Sequence, residues 1–339
     1  MRETLLKPTE KGGTPTSVAR KPLGSLESRG QRALSILAKK RYLYLMMVPV
    51  LAWYIIFAYL PMYGIVLAFQ DFRFSMGFAS PFVGFANFVK LFSDKRFLEA
   101  FRNTVILNLL RFIFGVPAPV IFALLLNEIF HSRFKRVVQT VTYLPHFISW
   151  VAMAGIINTL LTRDSGALNI LLMRMGFEQI GFLIDNQYFR GVLIVTDLWK
   201  ETGWSSIIYL AAIAGISPAL YESAKVEGAT RLQMTWHITL PSISNTIAIM
   251  AIIFLGHILS IGFDQIYNMY NPVVYETADI LDTYIVRNLQ VNPKFGLLSA
   301  ASFVKSVIGL SLLVLANNVT KWFGMEGIYA SRGTAQGTD

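Results

Sequence analysis

Three long stretches of this chain contain no Asp, Glu, Lys or Arg, and they constrain its fold more than any other feature. They are residues 42–70, 137–162 and 241–263. A helix of each length can cross the roughly 30 Å hydrocarbon core of a bilayer, at about 1.5 Å per residue. Because lipid offers the backbone no hydrogen-bond partner, each stretch must satisfy its own N–H and C=O groups as a helix. The chain is therefore predicted to be an all-α membrane protein.

Three further apolar segments contain a few charges: residues 99–130, 189–216 and 296–320. The hydrophobic fraction of 54% and the mean hydropathy of +0.51 also exceed those expected of a soluble domain. Together the two sets predict six transmembrane helices. The predicted organisation is a basic N-terminal segment at 1–41, a membrane domain at 42–320 and a short tail at 321–339.

The distribution of cations predicts the orientation of the chain. Residues 1–41 contain ten Lys or Arg and three acids, and the turn at 131–136 adds three cations. Residues 264–296 contain two cations and four acids. The positive-inside rule therefore places both termini in the cytoplasm. This retention signal and contact with anionic membrane lipid explain the net charge of +10, so nucleic acid is not an expected partner.

Composition disfavours several classes of site and segment. The chain has no Cys, which excludes disulfides and thiolate chemistry. His146 and His257 have no second His or carboxylate at helical spacing, so a metal site is not expected. No P-loop, Ser-His pair, paired carboxylates or HExxH motif is present, and no catalytic residue is predicted. Residues 1–24 are expected to be disordered and residues 25–41 to form an amphipathic surface helix, without a cleavable signal peptide.

A polar segment at 217–241 separates two apolar segments and has its own start and stop signals. Ser217 followed by Pro218 is a favourable helix N-terminus, and Gly228 offers a bend about ten residues later. A second short helix is predicted to continue through Trp236, until Pro241 opens the next apolar helix. Two short helices joined at a glycine predict a docking element for a partner protein.

This segment resembles the EAA loop of inner-membrane permease subunits in binding-protein-dependent ABC importers. The pattern is present as Glu222-Ser223-Ala224, Gly228-Ala229 and Ile238-Thr239-Leu240-Pro241, with Ser in place of the first Ala of the triplet. The resemblance implies a bacterial inner-membrane protein with the type I, maltose-permease-like transmembrane fold and a cytoplasmic coupling-helix loop. It also implies the partners: a second permease subunit, two ATPase subunits that bind ATP and Mg²⁺, and a periplasmic solute-binding protein. No cofactor is expected on this chain.

By the same resemblance, the loop sits in a cleft of the ATPase and transmits its movement to the membrane helices. The implied coupling residues are Glu222, Ala224, Gly228, Ala229, Leu232 and Trp236. Leu232 and Trp236 either anchor the loop in the ATPase or hold the loop against its own helices, and the sequence leaves both roles open.

Other tracts resemble the oligosaccharide branch of these permeases, and among them alginate-type importers. They include Tyr143-Leu144-Pro145, Phe263-Asp264-Gln265-Ile266-Tyr267 and Asp279-Ile280-Leu281-Asp282-Thr283-Tyr284. The implied substrate is an oligosaccharide, with anionic uronate oligomers such as alginate as a narrower expectation. A permease for another small solute and, in a different class, a polytopic membrane enzyme are the alternatives.

Candidate substrate-pathway residues are charged, polar or aromatic side chains within or beside the spans: Arg111, Trp199, Lys200, Trp204, Asp264, Tyr267, Asn268 and Lys305. Charges inside a membrane usually face a cavity or a partner. The alternative for Lys200 is pairing with Asp197 along one helix face. Arg111 has no acid at helical spacing, so it binds either a carbonyl or an acid from another helix, or an anionic substrate. The aromatic residues serve either as sugar-stacking faces or as interfacial anchors.

Overall fold

The computed structural model describes residues 40–257, 259, 262–291 and 293–322. The N-terminal predictions and most of the predicted tail lie outside these residues. The α-helices are α1 Arg41–Tyr54, α2 Leu60–Met62, α3 Ala86–Phe92, α4 Lys95–Gly115, α5 Pro117–Asn127, α6 Ser132–Tyr143, α7 Trp150–Leu161, α8 Ala167–Arg174, α9 Asn186–Ala214, α10 Pro218–Val226, α11 Arg231–Met234, α12 Leu240–Ser242, α13 Ser244–His257, α14 Phe263–Met269, α15 Tyr275–Ala278, α16 Leu281–Val291 and α17 Phe295–Trp322.

Short irregular helices connect these elements. Four are 3₁₀ helices, at Tyr63–Phe69, Gly77–Ala79, Leu144–Phe147 and Pro272–Val274, and two are π-helical turns, at Ile55–Tyr59 and Thr235–Thr239. Within the described part of the chain, the one strand-like pairing is an isolated antiparallel bridge between Gln70 and Phe82. The all-α prediction is therefore confirmed for these residues.

Residues up to 63 and residues from 64 onward form two separate units. In the first unit, α1, its π turn and α2 bury none of their side chains within the chain. A helix that is apolar on every side is suited to lipid or to a partner helix, because water would solvate such a surface poorly.

Three helical segments are long and apolar enough to cross a membrane by themselves: Arg41–Phe69, Lys95–Asn127 and Phe295–Leu315. Three bent pairs pass the same test only when two helices are combined: Ser132–Phe147 with Trp150–Leu161 at 107°, Asn186–Ala214 with Pro218–Val226 at 71°, and Arg231–Ser242 with Ser244–Gly256 at 58°. The described residues therefore contain three to six candidate spans, and the predicted six is the upper bound.

Two of the bent pairs begin or break at positions that differ from the bounds of the uncharged stretches that predicted them. The first bent pair begins at Ser132 and breaks at Ile148 and Ser149, inside the uncharged stretch. In the third pair, helical structure runs from Arg231 through Pro241 and breaks at Ile243. A π turn directly before Pro241, in which Leu240 N–H bonds to Thr235 C=O, accommodates the proline ring without ending the helix.

The second unit is organised around α9, the longest α-helix among the described residues. One apolar core joins α4, α9 and α14 through Leu107, Leu193 and Ile266. A close crossing joins α9 to α6, because a Cβ on Gly203 would lie 2.2 Å from the carbonyl oxygen of Thr142. These contacts bring the side chains of α4, α6, α9 and α14 together.

Candidate functional site

The segment predicted to dock a partner forms two short helices joined at a left-handed glycine. Pro218 is the first residue of α10, and Gly228 ends the helix with φ +81°. Gly228 N–H bonds to the carbonyl of Lys225, and Ala229 N–H bonds to that of Ala224. This pair of bonds is the Schellman arrangement, which needs a residue that tolerates positive φ. The predicted glycine bend is therefore confirmed, with its physical cause.

The second half of the loop begins with a capping box. The Thr230 hydroxyl accepts the Gln233 backbone N–H, and the Gln233 side chain accepts the Thr230 backbone N–H at 2.7 Å. The two halves of the loop are joined by a 2.9 Å hydrogen bond between the hydroxyls of Tyr221 and Thr239. These local bonds fix the shape of residues 217–241, which we call the coupling loop.

The coupling loop contacts the turn that follows α5. Arg231 lies 3.7 Å from the Glu128 carboxylate, and its guanidinium lies 4.2 Å from the ring centroid of Phe130. A groove of about 470 Å³ runs between the loop and this turn, with Glu128, Phe130 and Glu222 among its lining residues. A second cavity of about 430 Å³ lies on the loop itself, lined by Ala224, Gly228 and Ala229 among others.

Two large apolar side chains of the coupling loop are exposed instead of packing within the chain. Leu232 is 68% exposed and Trp236 is 60% exposed. Glu222 is exposed as well, whereas Ala224 and Ala229 are partly buried. Of the two roles left open by the sequence, this exposure favours contact of Leu232 and Trp236 with a partner over packing against the chain.

Arg111 is sealed inside the second unit and is 1% exposed. Its Nη2 donates to Gln265 Oε1 at 2.5 Å, and its Nε lies 3.9 Å from Asp197 Oδ2. The Gln265 amide in turn donates to the carbonyl of Leu193 and to the hydroxyl of Thr196, both at 2.8 Å. Arg111 therefore binds groups on α9 and α14, which is the first of the two alternatives given by the sequence.

The position of Gly262 follows from the same cluster. Its φ is +86°, and a Cβ on it would overlap the Arg111 guanidinium. Only glycine combines this backbone conformation with the space that the guanidinium occupies. Arg111 thus packs directly against the backbone where α14 begins.

Lys200 is buried and caps a helix end instead of pairing with Asp197 along α9. Its ammonium donates to the carbonyls of Pro145 and His146, at 3.2 and 2.5 Å, and lies 3.7 Å from Glu201. These carbonyls end the helical segment before the 107° bend. A cation at a helix C-terminus is favourable because it offsets the partial negative charge of the unpaired carbonyls.

An aromatic and acidic surface lies beside this cap. The rings of His146 and Trp204 stack with centroids 4.6 Å apart and planes 3° apart, and Glu201 bonds to His146 at 2.8 Å. Trp204 and Trp199 are both exposed. The stacked pair and the carboxylate offer a flat apolar face next to hydrogen-bonding groups.

The remaining predicted residues lie on α14 and α17. Asp264, Tyr267 and Asn268 are exposed on α14, where the Tyr267 hydroxyl accepts a bond from Gln290 at 3.3 Å. Lys305 on α17 pairs with Asp282 at 2.5 Å, beside a polar cavity of about 390 Å³. The structure therefore spreads the candidate pathway residues over several elements.

Sequence reasoning missed His146 and Gln265 as members of these clusters. From the sequence, His146 is considered only as a metal ligand. Its stacking partner, Trp204, is 58 positions away in the chain. Gln265 stands in a tract singled out for its resemblance, yet an uncharged amide gave no sign of holding Arg111. Spacing along one helix cannot reveal such partners, because they come from other helices.

Comparison with known proteins identifies the family. Residues 91–324 match the model of the binding-protein-dependent transport system inner membrane component, which is more than half of the chain. The chain belongs to this family. It is therefore a transport component of the inner membrane rather than an enzyme, and the family recognised from the coupling loop is confirmed.

Two relatives from Bacillus subtilis (strain 168) align with nearly the whole chain. The polygalacturonan/rhamnogalacturonan transport system permease protein YteP is 41% identical over 304 residues, or 89% of this chain and 95% of that protein. The protein LplB is 40% identical over 302 residues, with the same two shares. The similarity thus extends well beyond the coupling loop.

Solved structures give the same fold. One similar chain is in a bacterial alginate ABC transporter in complex with alginate pentasaccharide-bound periplasmic protein, with a TM-score of 0.82, 40% identity, and 88% of this chain and 100% of that chain covered. Another is in a bacterial ABC transporter involved in the import of the acidic polysaccharide alginate, with a TM-score of 0.81 and 41% identity over 86% of this chain and 99% of that one. The helical fold is that of an ABC transporter permease chain.

Proposed function

We propose that this chain is a permease subunit of an ATP-driven type I importer that takes up oligosaccharides, including anionic uronate oligomers. The observation that carries the proposal is identity of about 40% across nearly the full length of polysaccharide permeases, one of them from an alginate importer. A periplasmic binding protein delivers the sugar to the passage. The second permease subunit forms the other half of that passage.

The proposed topology has six spans and places both termini in the cytoplasm. Each bent pair of helices then counts as one span, which gives the maltose-permease-like arrangement. The cation-rich segments, 1–41 and 131–136, lie on the cytoplasmic side with the coupling loop; residues 132–136, predicted as a turn, form the start of α6. The contacts of Arg231 with Glu128 and Phe130 support this placement, since they put the turn and the loop at the same end of the second unit.

The coupling loop is the proposed connection to two ATPase subunits, which bind ATP and Mg²⁺. Glu222 is exposed for ion pairing, Leu232 and Trp236 are exposed for apolar contact, and Gly228 fixes the bend between the helices. Movement of the ATPases is passed through the loop to α9 and α13, which flank it in the chain. Import requires the sugar to bind one conformational state of the passage more tightly than the other. The same holds for the ATPase.

Burial divides the candidate pathway residues into two groups. Trp204, with His146 and Glu201, and Asp264, Tyr267 and Asn268 on α14 are accessible enough to meet a sugar. Arg111 and Lys200 are buried with their own partners and support these surfaces from within. Trp199 belongs to the accessible group by its exposure, and Lys305 is partly buried beside its polar cavity.

Reconstitution tests this proposal directly. The complete importer, purified with its ATPase and second permease, is placed in vesicles, and ATP hydrolysis is measured with binding protein loaded with uronate or neutral oligosaccharides. We expect sugar-loaded binding protein to stimulate hydrolysis and uronate oligomers to enter the vesicles. Stimulation and uptake confined to an amino acid, phosphate or peptide would disprove the saccharide assignment. Failure of the chain to copurify with any ATPase would disprove the importer assignment.

A further inference from the structure

The contacts of the turn after α5 point to a partner surface wider than the coupling loop. We propose that the ATPase docks on residues 128–130 as well as on the coupling loop, with Phe130 as the central contact. This inference rests on the proposed function, because it assumes that an ATPase occupies the coupling loop. It adds a second segment of the chain, about ninety residues earlier in sequence, to that interface.

Continuity with the coupling loop is the first argument. Glu128 and Phe130 line one side of the groove of about 470 Å³, and Glu222 and Lys225 of α10 line the other. Arg231 spans the junction, with Glu128 at 3.7 Å and the Phe130 ring at 4.2 Å. A protein that reaches Glu222 therefore meets the turn across the same groove.

The surroundings of Phe130 give the second argument. The ring is 73% exposed, and Arg231 lies over only one of its faces. Glu128 and Arg133 flank it in the chain, and charged side chains are costly to place in the hydrocarbon core. The ring is thus an apolar side chain held in a charged, polar setting.

An exposed aromatic side chain combined with an arginine is the composition typical of residues that dominate protein interfaces. Phe130 adds to the exposed apolar side chains at this end of the unit, which include Leu232 and Trp236. The partner chemistry that fits is an apolar side chain of the ATPase on the open face of Phe130, beside a cation that reaches Glu128 or Glu222.

Site-specific photo-crosslinking in the complete importer tests this surface. A benzophenone amino acid replaces Phe130 in one variant, Trp236 in a second and Phe74, which is exposed and does not line the groove, in a third. We expect positions 130 and 236 to capture the ATPase subunit and position 74 not to. Capture at 236 without capture at 130, or capture of lipid or the second permease at 130, would overturn the inference and leave the proposed function standing. No capture at either 130 or 236 would overturn both.

A functional measurement uses a matched pair of phenylalanines. Phe130→Ala is expected to weaken ATPase association about tenfold, the effect of losing one dominant interface side chain. Phe134→Ala removes another exposed ring four residues later, outside the groove, and is expected to change association less than twofold if only groove residues dock. Equal effects of the two variants, or no effect of Phe130→Ala, would contradict the proposal.

Discussion

Arg111 and Arg231 have the same guanidinium group in opposite surroundings. Arg111 is 1% exposed and held by Gln265 and Asp197, whereas the Arg231 side chain is 61% exposed and rests on Phe130 beside Glu128. A buried charge must be matched by fixed partners, while a surface charge keeps most of its hydration. The first arginine is therefore part of the scaffold, and the second is free to take part in contacts that change during transport.

The largest expected effect comes from removing the buried charge. Arg111→Gln should lower the free energy of unfolding by about 3–5 kcal/mol, because it removes the buried guanidinium that contacts both the partly buried Asp197 and Gln265. Thermal unfolding of the purified chain in detergent measures this loss. Adding Asp197→Asn should restore part of the stability, since the uncompensated charge is then gone. If Arg111→Gln alone is as stable as the parent chain, Arg111 is not part of the stabilising scaffold.

The crossing of α6 and α9 gives the next largest effect. Gly203→Ala should cost about 1–3 kcal/mol, because the added methyl meets the Thr142 carbonyl and the two helices must separate. Gly191 is a matched control on α9, where an added Cβ meets nothing within 4 Å. Gly191→Ala should be neutral or slightly stabilising in the same unfolding measurement. Equal losses in the two variants would show that the close crossing does not limit stability.

Substitution of Gly228 tests the exposed coupling loop instead of the buried cluster around Arg111. An added Cβ meets nothing within 4 Å there, so Gly228→Ala introduces only the strain of φ +81°, about 1–2 kcal/mol. We expect this strain to distort the coupling loop, to reduce the stimulation of ATP hydrolysis by loaded binding protein, and to lower the free energy of unfolding by no more than the strain itself. Gly228→Asn should retain more stimulation, because Asn tolerates the left-handed region better than Ala. Full stimulation with Gly228→Ala would show that the bend is not needed.

The coupling loop could be predicted from the sequence because its signals are local. Ser217, Pro218 and Gly228 act on the backbone within one or two turns, and the structure has α10 and its glycine end where these residues placed them. The end of the second half was predicted less well, since the π turn before Pro241 carries the helix past the proline. The apolar segments could also be predicted, because charge and hydropathy are properties of each residue and can be read directly from the sequence.

The bends and buried clusters could not be predicted in this way. The helical segment before the 107° bend ends at carbonyls capped by Lys200, which is more than fifty residues away in the chain. The bend at Ile148 and Ser149 lies inside the uncharged stretch 137–162, so a lack of charge does not mark it. For Arg111 the sequence left two binding partners open, a group on another helix or an anionic substrate. The packing of α9 and α14 around Arg111 decides between them.

A smaller effect is expected at the aromatic surface. Trp204→Ala should raise the sugar concentration for half-maximal uptake roughly threefold to tenfold, because stacked aromatic contacts contribute about 0.5–1.5 kcal/mol. Trp199 on the same helix is similarly exposed and has no ring stacking among the contacts of the described residues, so Trp199→Ala is the matched control. Uptake kinetics in vesicles separate the two. Equal changes would favour interfacial anchoring for both side chains.

The smallest effect on stability is expected at Arg231. Arg231→Gln removes an exposed ion pair with Glu128 and a cation over the Phe130 ring, contacts that together contribute about 1 kcal/mol or less at such exposure. The unfolding measurement used for Arg111→Gln should therefore show little change, and Arg231→Lys should show still less because the charge remains. A loss as large as that of Arg111→Gln would mean that the coupling loop is part of the rigid scaffold. Near-parent stability with reduced ATPase stimulation would instead show that the surface arginine acts in transport through contacts that folding does not require.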